Sequence, residues 1–140
     1  MPEDEGVREV NARFYAALNA MDVDAMDDIW ADAPEVVCVH PGHEAIFGYE
    51  RVRDSWILIF ASTSSMSITA SDERVSVAGD TAWVACTESI SLVIEGELVS
   101  ASAHATNIFR RTGAGWRMVV HHASPVPSRV VTEEWPDTIN

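Results

Sequence analysis

The sequence predicts an α+β fold in which helices from the first sixty residues pack on one face of a long, mainly antiparallel sheet. Two observations carry this. Up to Phe60, apolar residues recur at three- and four-residue steps, interrupted by one β-branched run; that period belongs to helices with one buried face. After the serine-rich link 62–65 come four long strand-forming runs separated by short Gly-containing turns, the pattern of a meander rather than of alternating βα units.

Val7, Val10, Phe14, Leu18 and Met21 form the apolar stripe of a first helix. Glu3, Asp4 and Glu5 lie near its N-terminus, where the helix dipole favours them. A second, short helix starts at an Asp22 cap, buries Met26, Ile29 and Trp30, and stops before Pro34. Residues 35–40 read as a strand, and His40-Pro41-Gly42-His43-Glu44 as a turn or loop. Val52, Trp56, Ile59 and Phe60 line a third helix over 49–61. The strands fall at about 66–78, 81–95, 97–111 and 116–124. Their connections are Gly79-Asp80, Glu95-Gly96-Glu97 and Thr112-Gly113-Ala114-Gly115. The tail from Pro125 reads as irregular, with Val130, Val131 and Trp135 available to pin it to a surface. One domain spans 1–140, with its core at about 5–124.

A chain of 140 residues can bury roughly two thirds of its unfolded surface in one domain. Its 47% apolar and 22% charged content is that of a folded globular protein. No run approaches the ~18 apolar residues of a membrane span, and the start is acidic where a signal peptide would be basic. The expected location is therefore the cytoplasm, where Cys38 and Cys86 stay reduced. A formal net charge of −13 argues against nucleic-acid and anionic-membrane partners, which demand a basic patch.

The final hairpin carries most of the functional signal. Ala103, Ala105, Asn107 and Phe109 share one face of its first strand. Strict alternation puts Trp116, Met118, Val120, His122 and Ser124 together on its second. Polar groups on mainly apolar faces need partners or line something wet, so these faces predict a cavity. The run 81–95 is apolar on both sides, with Val84, Cys86, Ile90, Leu92 and Ile94 on one and Trp83, Ala85 and Val93 on the other. The second side predicts a homodimer formed through the outer face of the sheet.

Five words in order, F-Y-A-A-L-N-A-M-D (14–22), I-W-A-D (29–32), V-H-P-G (39–42), G-Y-E-R-V-R-D-S-W (48–56) and N-I-F-R-R-T-G-A-G-W-R-M-V-V-H-H-A-S (107–124), give the chain a family likeness. It resembles the nuclear-transport-factor-2-like, or SnoaL-like, proteins, with their cone-shaped cystatin-like fold. The resemblance implies a conical cavity between helices and a strongly bent sheet, and usually a homodimer. In ketosteroid isomerase, a member of this superfamily, an aspartate base works with an oxyanion hole of tyrosine and protonated aspartate. Those positions align with His40, Phe14 (with Tyr15 adjacent) and Asn107 here. All three differ, so the resemblance implies a polar site in the same place but not steroid isomerisation.

His40, at a strand end facing the predicted cavity, is the candidate proton carrier, because imidazole titrates near neutrality. Asn107 and His122 are candidates to hold an oxygen. Phe14, Tyr15, Trp56 and Ser124 are expected to line the cavity. His40, His43, Glu44, His121 and His122 lack the spacing of a metal site, so no metal or cofactor is expected. Ser124 and His122 have no acid partner for a hydrolase triad. The expected ligand is a small, mostly apolar molecule, and the expected chemistry a cofactor-independent isomerisation or dehydration by proton transfer. The competing class is a non-catalytic ligand-binding or assembly module resembling the kinase-association domains of the same superfamily.

Overall fold

The computed structural model describes residues 2–127. The surface contacts expected of Val130, Val131 and Trp135 lie outside the described residues.

The first helix, α1 (Pro2–Ala20), buries Val7, Val10, Phe14 and Leu18 as its stripe requires, and buries Asn11 and Tyr15 with them. The chain turns at Met21, whose φ of 49° takes it out of the helix. The Asp22 side chain then accepts from the Ala25 amide at 3.2 Å and caps α2 (Val23–Met26). This helix is shorter than its sequence suggests because the following residues leave it to pair with a strand. The Met118 amide donates to the Ile29 carbonyl at 2.8 Å, and Ala31 donates to the Met118 carbonyl at 3.0 Å. Tertiary pairing outweighs local helix propensity there.

Two short strands, β1 (Val37–Val39) and β2 (Ile46–Phe47), precede α3 (Tyr49–Ala61). Four long strands follow: β3 (Ser65–Ala78), β4 (Thr81–Ile94), β5 (Glu97–Thr112) and β6 (Gly115–Val126). The single sheet runs β2-β1-β6-β5-β4-β3. β3 to β6 form the expected antiparallel meander. The sheet as a whole is mixed, because β1 joins the edge of β6 in parallel. At the β4–β5 turn both Glu95 and Gly96 have positive φ, at 51° and 82°, the geometry that closes a two-residue hairpin.

The helices cover one face of this sheet. Phe14, Trp30, Phe109 and Met118 are among the largest fully buried side chains. The opposite face exposes Trp83 and Leu98.

Two β-bulges shape the site. In β3, Ser71 pairs with Thr87 and Arg74 with Ala85, so Asp72 and Glu73 together oppose the single residue between those partners. In β6, Val120 pairs with Ile108 and Met118 with Phe109, which leaves Val119 as the extra residue.

Candidate functional site

Between the sheet and α1 and α3 lies a cavity of about 320 Å³. Leu18, Trp56, Met66, Ile68, Ile90 and Leu92 give it an apolar wall, and His40, Glu88 and His121 are its buried titratable groups. An outer hollow of about 680 Å³, lined by His40, Gly42, His43, Arg51 and Ser55 among others, shares His40, His43 and Ile59 with it. His40 thus stands where the two spaces meet.

Of the residues expected in the cavity wall, His40 and Trp56 line it. Phe14, Tyr15 and Asn107 are buried directly beneath as its support. His122 and Ser124 correct the sequence expectation: both are exposed on the other face of β6. Strict alternation from Trp116 would face both inward, but the extra residue at Val119 reverses the facing of everything after it. Met118 points inward before the bulge; His121 and Ala123 point inward after it. The imidazole that meets Asn107 is therefore that of His121.

Glu88 is the residue that sequence reasoning missed. It is 2% exposed and sits in β4 in phase with the inward-facing Ala82, Val84 and Cys86. A carboxylate in register with a buried apolar face was the available signal. Opposite it, α1 supplies Tyr15, whose hydroxyl donates to Glu88 Oε2 at 2.7 Å. The same hydroxyl contacts Cys86 Sγ at 3.3 Å and accepts from Asn107 Nδ2 at 3.1 Å. The Asn107 amide also donates to Asn11 Oδ1 at 2.8 Å, and its carbonyl meets His121 Nδ1 at 2.6 Å. One buried chain of hydrogen bonds therefore joins the carboxyl to the imidazole.

His40 is held separately. Ser55 Oγ gives its proton to the Val52 carbonyl at 2.6 Å, so at 2.9 Å from His40 Nε2 it accepts. His40 consequently carries its proton on Nε2. Its ring packs edge-on against Trp56 with centroids 4.6 Å apart, and the His121 ring lies 6.1 Å from the same indole. Phe14 supports that assembly, touching both Trp56 and His121.

Burial sets the protonation states. It lowers His121 to about 3, with His40 and His122 adding repulsion, and lowers His40 to about 4, with His43 adding to the effect. Both rings are neutral near pH 7. Burial raises the Glu88 carboxyl, opposed in part by the Tyr15 hydrogen bond. Burial also raises the Tyr15 phenol far above its ordinary value, and the neighbouring Glu88 charge works in the same sense. The site thus places a carboxyl pushed toward its acid form beside imidazoles pushed toward their basic form. Titratable groups driven apart in this way are what acid–base chemistry at one pH requires. Among the described residues no three His, Cys, Asp or Glu side chains gather as metal ligands, and no helix is long and apolar enough to cross a membrane.

Comparison with known proteins agrees with this architecture. An NTF2-like protein of Streptomyces avermitilis, designated a candidate dehydratase, superposes with a TM-score of 0.84 at 40% identity, over 91% of this chain and 98% of that one. A Thiobacillus denitrificans protein, designated a candidate calcium/calmodulin-dependent protein kinase type II association domain, is 31% identical over 84% of this chain and 93% of its own, with a TM-score of 0.67. The F-box protein SKIP8 of Arabidopsis thaliana is 30% identical over 115 residues, 82% of this chain. The chain spans about half, 47%, of the length of that relative. Residues 7–128 match the SnoaL-like domain family. With the match covering nearly every element of the cone, the chain belongs to the SnoaL-like family.

Proposed function

We propose that this protein is a cofactor-independent enzyme that moves a proton on a small, mostly apolar molecule, in a dehydration or an isomerisation. The observation that carries the reading is Glu88, a buried carboxyl at the wall of an apolar cavity that two neutral histidines also line. In a dehydration, an imidazole lone pair takes a proton from carbon. The C–H electron pair forms the new double bond, and the hydroxyl leaves as water with the proton of Glu88. Donation leaves a carboxylate that favours protonation of the nearby imidazole, so the two transfers assist each other. In an isomerisation the same two groups take a proton from one carbon and return one to another. The candidate dehydratase designation of the 40%-identical relative supports this class.

Glu88→Gln tests the reading. It preserves an acceptor for Tyr15 but removes the transferable proton. Turnover of small β-hydroxycarbonyl compounds, followed by absorbance of the conjugated product, should fall by about 10²- to 10⁴-fold. Undiminished turnover in that variant would exclude Glu88 as the acid. One observation favours a second reading, a non-catalytic assembly module: the 31% identity to the designated kinase-association domain. Under it, Glu88→Gln would change neither ligand affinity nor assembly.

Self-association through the outer sheet face belongs to either reading, since Trp83 and Leu98 stand exposed there, Leu98 by 70%. Leu98→Glu should shift sedimentation toward the monomer.

A further inference from the structure

We propose that Glu73 and Asn11, neither of which lines the cavity, fix the positions of the protons at the candidate site. They hold His121 with its hydrogen on Nδ1 and its lone pair on Nε2, and they direct any proton on Glu88 to Oε1. This rests on, and deepens, the proton-transfer reading, because it names which atom accepts and which donates.

The argument follows from the one group in the chain of hydrogen bonds whose direction is not open. A carboxylate only accepts. Glu73 Oε2 lies 2.8 Å from the Asn11 side-chain amide, so the NH₂ end of Asn11 must face it. The Asn11 carbonyl is thereby turned to Asn107 at 2.8 Å, and it can only accept; Asn107 must present its own NH₂. The second hydrogen of that NH₂ goes to the Tyr15 oxygen at 3.1 Å. The Asn107 carbonyl is left facing His121 Nδ1 at 2.6 Å, so Nδ1 carries the hydrogen. In a neutral ring Nε2 is then bare, and among the described residues it has no hydrogen-bond partner.

The branch through Tyr15 is set by the same rule. Its oxygen accepts from Asn107, so its own hydrogen goes to Glu88 Oε2 at 2.7 Å rather than to the more distant Cys86. Oε2 is therefore an acceptor, and a protonated Glu88 carries its hydrogen on Oε1. An amide flipped at Asn11 would set its carbonyl 2.8 Å from the Glu73 carboxylate, acceptor against acceptor. Asn11 is fully buried and has no solvent alternative.

The bulge in β3 is what brings Glu73 into this position. Asp72 adopts φ of 54°, the pairing slips by one residue, and Glu73 reaches α1 although it lies on an otherwise exposed stretch. Glu73 and Asn11 are thus positioning residues: they touch no reacting atom and act through Asn107.

The direct test is nitrogen-15 NMR of histidine-labelled protein at pH 7, with His121 assigned by loss of its signals in His121→Gln. In the wild type His121 should be a single neutral tautomer, protonated on Nδ1. Glu73→Gln substitutes an amide that can donate as well as accept, so either polarity of the chain becomes available. A resolved Nε2–H signal for His121 should then appear, while the folded dispersion of the amide spectrum is unchanged. A wild-type His121 protonated on Nε2, or a Glu73→Gln variant that remains wholly Nδ1–H, would overturn the proposal. The outcome is independent of turnover. If the tautomers behave as stated while Glu88→Gln retains full activity, the enzymatic reading fails and the proton placement stands; the reverse combination separates them in the other direction.

Discussion

Acidification should destabilise this fold through its two buried histidines, by an amount their lowered pKa values fix. His121 sits at about 3 and His40 at about 4 in the folded chain, against 6.5 when exposed. A depressed imidazole binds its proton only after unfolding, so the unfolded state takes up more protons as pH falls below 6.5, and stability falls with it. From pH 7 to pH 5 each ring contributes a loss of about 2 kcal/mol, or about 4 kcal/mol together, out of the roughly 5–15 kcal/mol of an ordinary domain. The loss continues until pH reaches the folded values near 4 and 3. Glu88 acts in the opposite sense. Its raised carboxyl binds a proton more readily folded than unfolded, so its contribution improves as pH drops through the folded value toward the ordinary glutamate range. Urea unfolding followed by tryptophan fluorescence at pH 7, 6 and 5 measures the sum, and Glu88→Gln isolates the histidines by removing the opposing group. The variant should lose stability more steeply than the wild type. His121→Gln should recover about half of the histidine loss. If stability in the Glu88→Gln background is flat from pH 7 to pH 5, the imidazoles are solvated in the folded state, and the dry, polarised site described above does not exist.

Three further outcomes are expected. His122→Ala and Ser124→Ala, both on the outer face of β6, should leave turnover within about twofold and stability within roughly 0.5 kcal/mol, as checked by kinetics and urea midpoints. Tyr15→Phe leaves the buried Glu88 carboxyl without its donor and one Asn107 N–H without its acceptor, so the urea midpoint should fall by the equivalent of about 2–4 kcal/mol. Deleting Val119 removes the extra residue but leaves Val120 opposite Ile108 and His121 opposite Asn107, so His121 should stay inward and keep its Nδ1–H signal; an imidazole signal of His122 replacing it would refute the bulge.

What the sequence discloses and what it withholds divide along the distance between interacting residues. The stripe over 49–61, the cap at Asp22 and the turns at Gly79-Asp80 and Glu95-Gly96 are decided by neighbours a few positions apart, and the structure places them where the residues say. The parallel docking of β1 on β6 and the early end of α2 depend on backbone partners far along the chain, and no local pattern announces them. Glu88 lies between these cases. Its phase with Ala82, Val84 and Cys86 was readable in β4, but the phenol that holds it is 73 residues away.

The His121-His122 pair shows why alternation alone misassigns a site. Two adjacent histidines on a strand guarantee that one imidazole faces the interior in either register. Composition and motif therefore predict an inward histidine without saying which. Val119 decides it, because one inserted residue exchanges the two faces for the remainder of β6. The inward ring meets the Asn107 carbonyl, and the Asn107 amide in turn donates to Asn11 from 96 residues away. In the proton placement proposed above, the same bond that satisfies a buried amide also leaves a lone pair at the cavity. Structural satisfaction and chemical poise are thus not competing explanations for Asn107: in the proposed proton placement, satisfying its amide in only one direction is also what would free His121 Nε2 to accept a proton.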